Sequence, residues 1–361
     1  MRIASWSWGG RPHVGTISAD GREATPLAVA DAARGALPLI EMLARGEALP
    51  GASAARLPVE AITLRAPLPR PLRSILCVGR NYRNHAAELA DSVFRASLPA
   101  EDQWPIVFTK LPECVIGPYD PVRLPGAAVS SQIDYESELA VVIGRGGRNI
   151  AKARAMDHVF GYTIVNDVSA RDVQVRHQQW DLGKSFDTFC PMGPWLVTAD
   201  EMDGRATRVR GYVNGELRQD APTEDMIFDI PTLIETCSRG ITLFPGDVIA
   251  TGTMAGVGMG FKPPKWLAAG DVVRIERPAG EKITKGETLA LSGASVILVS
   301  GDGGVRTGTD ALKGVTVQAK VLGTIRTRKV LVFKKKRTKQ YRRTKGHRQT
   351  MIEVRIEAIE G

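Results

Sequence analysis

Apolar positions in this chain fall in short runs, most of them β-branched and bounded by turn residues. Leu139 to Ile143, closed by Gly144, reads as a buried strand. The runs at 74–78, 106–110, 161–166 and 270–276 have the same character. Helical spacing is confined to 37–49, to a short stretch that Asn84 can cap, and to 228–239. Asn214-Gly215 predicts a two-residue hairpin turn within 207–217, and 15–21 reads as a strand entering another turn. Residues 64–72 hold three prolines among nine and read as a linker. Many strands and few long helices predict a β-rich α+β fold.

Polar residues inserted at the strand ends carry the candidate chemistry. Asp134, Glu136 and Glu138 alternate at the entry to the 139–143 run, so an extended chain turns their carboxylates to one face. Asp167 closes the 161–166 run and can reach the same place. Carboxylates converging beside a buried strand repel one another unless a cation sits among them. Oxygen donors of this kind suit a hard divalent ion such as Mg2+; a solvated acidic turn is the other reading of the same spacing. His85 and Glu88, three apart, would share a helical face as a water-activating dyad or as a surface pair. Lys184 lies in a Gly-containing stretch, where it either meets a substrate oxyanion or stays solvated. The Gly-rich stretch 252–258 follows a strand and lacks a nucleotide-loop pattern, which favours a carboxylate group over a nucleotide as its anion.

Composition narrows the picture in three respects. No apolar run is long enough to span a membrane, and the first residues do not read as a signal peptide. Cys77, Cys114, Cys190 and Cys237 are scattered without a paired spacing, which fits reduced thiols and a cytoplasmic protein. The overall charge of +9 is unevenly spread. Residues 311–361 hold 15 Lys/Arg against 3 Asp/Glu, whereas the preceding 310 residues hold 33 against 36. A slightly acidic body thus carries a tail suited to a polyanion.

Taken jointly and in order, GRNYRNHAAEL (79–89), DYESELAVVIG (134–144), GYTIVNDVSARD (161–172), GKSFDTFCPMGPW (183–195) and TGTMAGVG (251–258) resemble the fumarylacetoacetate hydrolase family over about 73–275. The resemblance implies a mixed β-sandwich-like roll preceded by a small α+β N-terminal domain at 1–66, and a homodimer. It implies Mg2+ or Mn2+ held by Glu136, Glu138 and Asp167. His85 and Glu88 become the water-activating dyad, and Lys184 a further catalytic residue. Arg80, Tyr82 and Thr253 become substrate contacts. The activity implied is metal-dependent C–C hydrolysis of a small 2-oxo or 1,3-diketo acid such as an acylpyruvate or fumarylpyruvate. The alternative is isomerisation or decarboxylation of a related acid, 2-hydroxyhepta-2,4-diene-1,7-dioate or oxaloacetate.

The tail, about 270–359, is similar to bacterial ribosomal protein L21, which implies a small basic β-barrel-like domain at 276–361. Lys334, Lys335, Lys336, Arg337, Lys339, Arg342, Arg343, Lys345 and Arg348, interleaved with Tyr341 and His347, suit phosphate contact and base stacking on rRNA. The chain therefore reads as a fusion of two families. Its rival reading is a ribosome-associated, rRNA-binding component whose enzyme-like body is a passenger.

Overall fold

The computed structural model describes residues 1–88, 104–176, 179–276, 288–292, 298–301, 304–307, 316–333 and 341–360, with the backbone alone described from 276 onward. The chain divides into two compact units, Met1–Pro278 and Ala279–Gly361.

The first unit opens with strands β1 (Arg2–Trp8), β2 (Arg11–Ile17) and β3 (Glu23–Pro26), then helix α1 (Leu37–Ala44), and strands β4 (Leu57–Pro58) and β5 (Thr63–Arg65). Strand β6 (Ile75–Gly79) leads into the short helix α2 (Arg83–Glu88). Strands β7 (Ile106–Lys110), β8 (Val115–Ile116), β9 (Ile133–Asp134), β10 (Ser137–Ile143), β11 (Val159–Asn166) and β12 (Ser169–Ala170) follow. Next come helices α3 (Arg171–Arg176) and α4 (Asp181–Lys184), strand β13 (Cys190–Thr198), and the hairpin β14 (Arg208–Val213) and β15 (Glu216–Pro222). Helix α5 (Ile230–Ser238), β16 (Val248–Ala250) and β17 (Val273–Glu276) complete the unit.

One twelve-stranded sheet runs β4-β3-β2-β1-β13-β11-β10-β16-β6-β7, with β5 on β1 and β8 on β13. Most pairs are antiparallel, but β16 with β6 and β8 with β13 are parallel, so the sheet is mixed. The N-terminal strands thus continue the sheet that carries the site. Strand β10 shows why its sequence is apolar throughout: it lies between β11 and β16 and every residue of it is buried. Its side chains alternate between two cores. Ala140 and Val142 join Leu37, Leu39 and Ile40 of α1, whereas Leu139, Val141 and Ile143 join Ile230, Leu233 and Ile234 of α5. Each such aliphatic side chain contributes roughly 1.5–3 kcal/mol on leaving water. Asp229 caps α5 by accepting from the Thr232 N–H at 2.9 Å, and Pro231 sits in the first turn, where no amide is needed.

The proline-rich stretch is not a linker. Thr63–Arg65 pairs with β1, and Leu64, Ala66 and Leu68 are buried. Proline lacks a donor but keeps its carbonyl, and the Pro67 carbonyl accepts from the Ala36 N–H at 2.8 Å and the Ser5 hydroxyl at 3.2 Å.

In the second unit, β18 (Thr288–Ser292) pairs with β21 (Thr316–Phe333), and β21 pairs antiparallel with β22 (Tyr341–Glu360). Strands β19 (Leu298–Gly301) and β20 (Gly304–Thr307) form a separate two-stranded ribbon.

Candidate metal centre and active site

Three carboxylates meet where β10 begins and β11 ends. The pairing of Ser137 with Asn166 places their flanking residues side by side. Asn166 accepts the Glu136 N–H through Oδ1 at 3.0 Å, and the Asp167 N–H donates to the Glu136 carbonyl at 2.9 Å. Glu136, Glu138 and Asp167 are buried and offer oxygens within 4.8 Å of one another. Asp134 shares their parity but not their cluster. It accepts from the backbone N–H groups of Gly258 (2.6 Å) and Met259 (3.0 Å) and pairs with Arg171 at 2.9 Å.

Fixed cations surround the group. Arg171 Nη2 meets Glu136 Oε1 at 2.5 Å. Lys184 Nζ bridges Glu136 Oε2 at 2.6 Å and Asp167 Oδ2 at 2.7 Å. Lys184 is therefore a buried member of the site rather than a solvated loop residue. Lys110 Nζ lies 2.9 Å from Asp167 Oδ1. Burial disfavours the charge on Glu136, but Arg171, Lys184 and His85 outweigh it and hold that carboxyl well below its usual range. Glu138 goes the other way. Burial first, then the Asp167 and Glu136 charges, push its carboxyl well above the usual range. The donor it does have is the Gly252 N–H at 2.9 Å. A buried carboxylate beside two others is short of positive charge, and every donor in the set is a carboxylate oxygen. That chemistry fits a hard divalent cation.

Glu136 and Glu138 line a small cleft together with His85, Arg80, Thr253, Gln174, Phe108 and Trp180. His85 is 3% exposed, and its Nδ1 lies 3.1 Å from Glu88 Oε2. Glu88 Oε1 accepts from the Gly256 N–H at 2.9 Å, so the Gly-rich loop orients the dyad. The Thr253 hydroxyl donates to the Ser137 carbonyl at 3.1 Å and accepts from Gln219 Nε2 at 2.8 Å. Arg80 leaves β6 with φ of 54° and reaches the cleft wall. Tyr82 does not: its ring is buried in the α5-side core and borders a separate hollow beside Asp220 and Asp225.

Sequence reasoning missed Arg171, Gln174, Lys110, Phe108 and Trp180. Arg171 lies within the GYTIVNDVSARD motif. Lys110 is a lone cation ending an apolar strand, and that position is its sequence signal. In the second unit, Lys334, Lys335, Lys336, Arg337 and Lys339 lie outside the described residues. Tyr341, Arg342, Arg343, Lys345, His347 and Arg348 fall on the backbone of β22.

The family model described as Fumarylacetoacetate (FAA) hydrolase C-terminal matches residues 74–288. The chain belongs to the fumarylacetoacetate hydrolase family. A second model, the ribosomal prokaryotic L21 protein, matches 264–359. An oxaloacetate tautomerase of Bacillus subtilis, YisK, is 53% identical over 215 residues, which are 59% of this chain and 69% of that protein. A mitochondrial oxaloacetate tautomerase of Homo sapiens is 43% identical over 277 residues, 73% of this chain and 84% of its own length. Among solved structures of the family, a fumarylacetoacetate hydrolase from Exiguobacterium antarcticum is 40% identical with a TM-score of 0.65, covering 77% of this chain and 95% of that one. A 2-hydroxyhepta-2,4-diene-1,7-dioate isomerase from Mycobacterium marinum is 34% identical with a TM-score of 0.61, covering 77% and 94%.

Proposed function

We propose that this family member is a divalent-metal-dependent tautomerase of a small 2-oxo dicarboxylic acid of the oxaloacetate type. The supporting observation is the pairing of the three-carboxylate centre with a His85–Glu88 dyad in one small cleft. The expectation of hydrolysis gives way here, because the relatives named above are tautomerases and an isomerase more than hydrolases. Keto–enol exchange moves one proton between the carbon beside the 2-oxo group and the 2-oxo oxygen, with no bond between heavy atoms broken.

Glu136, Glu138 and Asp167 would hold Mg2+ or Mn2+, which when bound supplies Lewis-acid polarisation of the 2-oxo and carboxylate oxygens. In the keto-to-enol direction His85 takes the proton from that carbon and the substrate oxygen gains one from solvent; in the enol-to-keto direction the oxygen releases its proton to solvent and His85 returns one to carbon. Glu88 fixes the ring by holding Nδ1. Lys184 and Arg171 keep the Glu136 and Asp167 carboxylates in place while negative charge develops on the substrate oxygen. Arg80 contributes a further cation at the wall.

The test follows enol oxaloacetate by its ultraviolet absorbance, with acylpyruvate cleavage and oxaloacetate decarboxylation measured in parallel. Ketonisation should run well above the buffer rate, stop with EDTA and return with Mg2+ or Mn2+. Cleavage of acylpyruvate as the fastest reaction, or ketonisation at the buffer rate, rejects the assignment. For the tail we propose rRNA contact, supported by the L21 match and by the stretch 311–352, which has 14 Lys/Arg and no acidic residue. We also propose a homodimer, to be checked by light scattering.

A further inference from the structure

The last two residues of β7 and the residue after them hold α4 and the residue that follows it. The Thr109 N–H donates to Asp181 Oδ1 at 3.2 Å, Lys110 Nζ donates to the Lys184 carbonyl, and the Leu111 N–H donates to Ser185 Oγ at 3.1 Å. Of the three, Lys110 also reaches the metal centre. Its ammonium stands 2.9 Å from Asp167 Oδ1 and donates to the Val168 carbonyl at 3.2 Å. The ammonium donates to two main-chain carbonyls, and its contact with the buried Asp167 Oδ1, which has no hydrogen-bond donor of its own, is an ion pair. Asp167 Oδ2 is in turn held by Lys184 Nζ at 2.7 Å. The contacts close a ring: Lys110 to the Asp167 carboxylate, Asp167 to the Lys184 ammonium, and the Lys184 carbonyl back to Lys110.

We propose that Lys110 is a positioning residue that fixes the Asp167 carboxylate and the Lys184 main chain together, and so sets the coordination geometry of the centre. The proposal rests on the reading of Glu136, Glu138 and Asp167 as the metal site. Lys110 is 1% exposed, so no solvent replaces its hydrogen bonds when it is lost. Burial opposes its charge, but the Asp167 carboxylate outweighs burial and holds the ammonium above the ordinary lysine range. Loss of the side chain frees Asp167 to rotate and α4 to shift, and both ends of the Asp167–Lys184 pair move. Partners of metal ligands typically change affinity or activity by about 10–100-fold when removed.

The experiment uses the full chain loaded with Co2+, whose visible absorption reports ligand geometry. In Lys110→Met the Co2+ spectrum should change shape and intensity, and kcat for ketonisation should fall by about 10–100-fold with KM changed far less. An unchanged spectrum and kcat alongside a lowered Tm would mean Lys110 only stabilises the fold, and would overturn the proposal. Should Lys110→Met not fold, Lys110→Gln keeps donors for the two carbonyls and carries the same expectation. Failure of both to fold assigns Lys110 a purely structural role. A wild-type chain that takes up no Co2+ removes the metal reading itself, and the proposal with it. Co2+ uptake without ketonisation rejects only the proposed reaction, and the spectral comparison still decides the role of Lys110.

Discussion

Of the three carboxyls at the centre, Glu138 is the one whose surroundings favour its proton. Burial and the Asp167 and Glu136 charges raise its carboxyl above the ordinary value of 4.5, so the folded chain binds this proton more tightly than the unfolded chain does. Without metal, the contribution of Glu138 to stability is full below 4.5 and is lost as pH climbs through the raised folded value. Glu136 behaves oppositely: its depressed carboxyl stabilises the fold above 4.5, and that contribution is lost only in strong acid. A cation binds the ionised form of Glu138, so binding releases a proton and tightens as pH rises. Mn2+ calorimetry at about pH 6 and about pH 8, in buffers of different ionisation enthalpy, should show both effects. Heats independent of buffer would mean that Glu138 is already ionised before the cation binds. The alternation of Glu136 and Glu138 and the strand-terminal Asp167 were legible because they are local patterns. Lys110 was not, because its partners are 57 and more residues away, at Asp167, Val168 and Lys184. Tyr82 illustrates the converse. It sits between two cleft residues in sequence, yet its backbone bridges Met226 and its ring enters the core.

Among elements, runs of β-branched residues announced their strands well; 106–110 coincides with β7. Helix ends were less legible, because caps decide them. The spacing at 37–49 continues past Ala44, but Gly46 adopts φ of 77° and the helix stops. Residues 64–72 misled because proline content says nothing about where a carbonyl finds a donor. The loop after β16 is the element on which the dyad depends. Gly256 has φ of 103°, and a Cβ there would lie 1.8 Å from the Arg218 carbonyl oxygen. Its N–H donates to Glu88. Gly256→Ala should therefore lose at least about 1–3 kcal/mol of stability in chemical denaturation, and ketonisation should fall more than Mn2+ affinity does. Equal stability of variant and wild type would show that the loop adapts freely and does not hold Glu88.

At the scale of the whole molecule, chemistry and charge separate along the chain. Every residue assigned to the cleft precedes Pro278, where the first unit ends, and β17 keeps its pairing with β14 inside that unit. The second unit carries the basic excess; twelve of its Lys/Arg lie between Arg326 and Arg348. Both resemblances were legible because each rests on dense local motifs; how the tail's side chains are arranged was not, since a run of like charges carries no periodic signal. If several of these cations neutralise RNA phosphates, binding should weaken with salt by a slope of roughly −0.7 per contact on a single strand. The decisive variant replaces Lys334, Lys335, Lys336, Arg337, Arg342 and Arg343 with Gln in the full chain. Gel-shift titration on rRNA fragments at two salt concentrations should show weaker binding and a shallower slope, while ketonisation stays at the wild-type rate. A chain ending at Pro278 should lose RNA binding altogether and keep Mn2+ binding. Unchanged affinity and slope in the Gln variant would mean the basic run is a solvated face and that any RNA affinity resides elsewhere in the molecule.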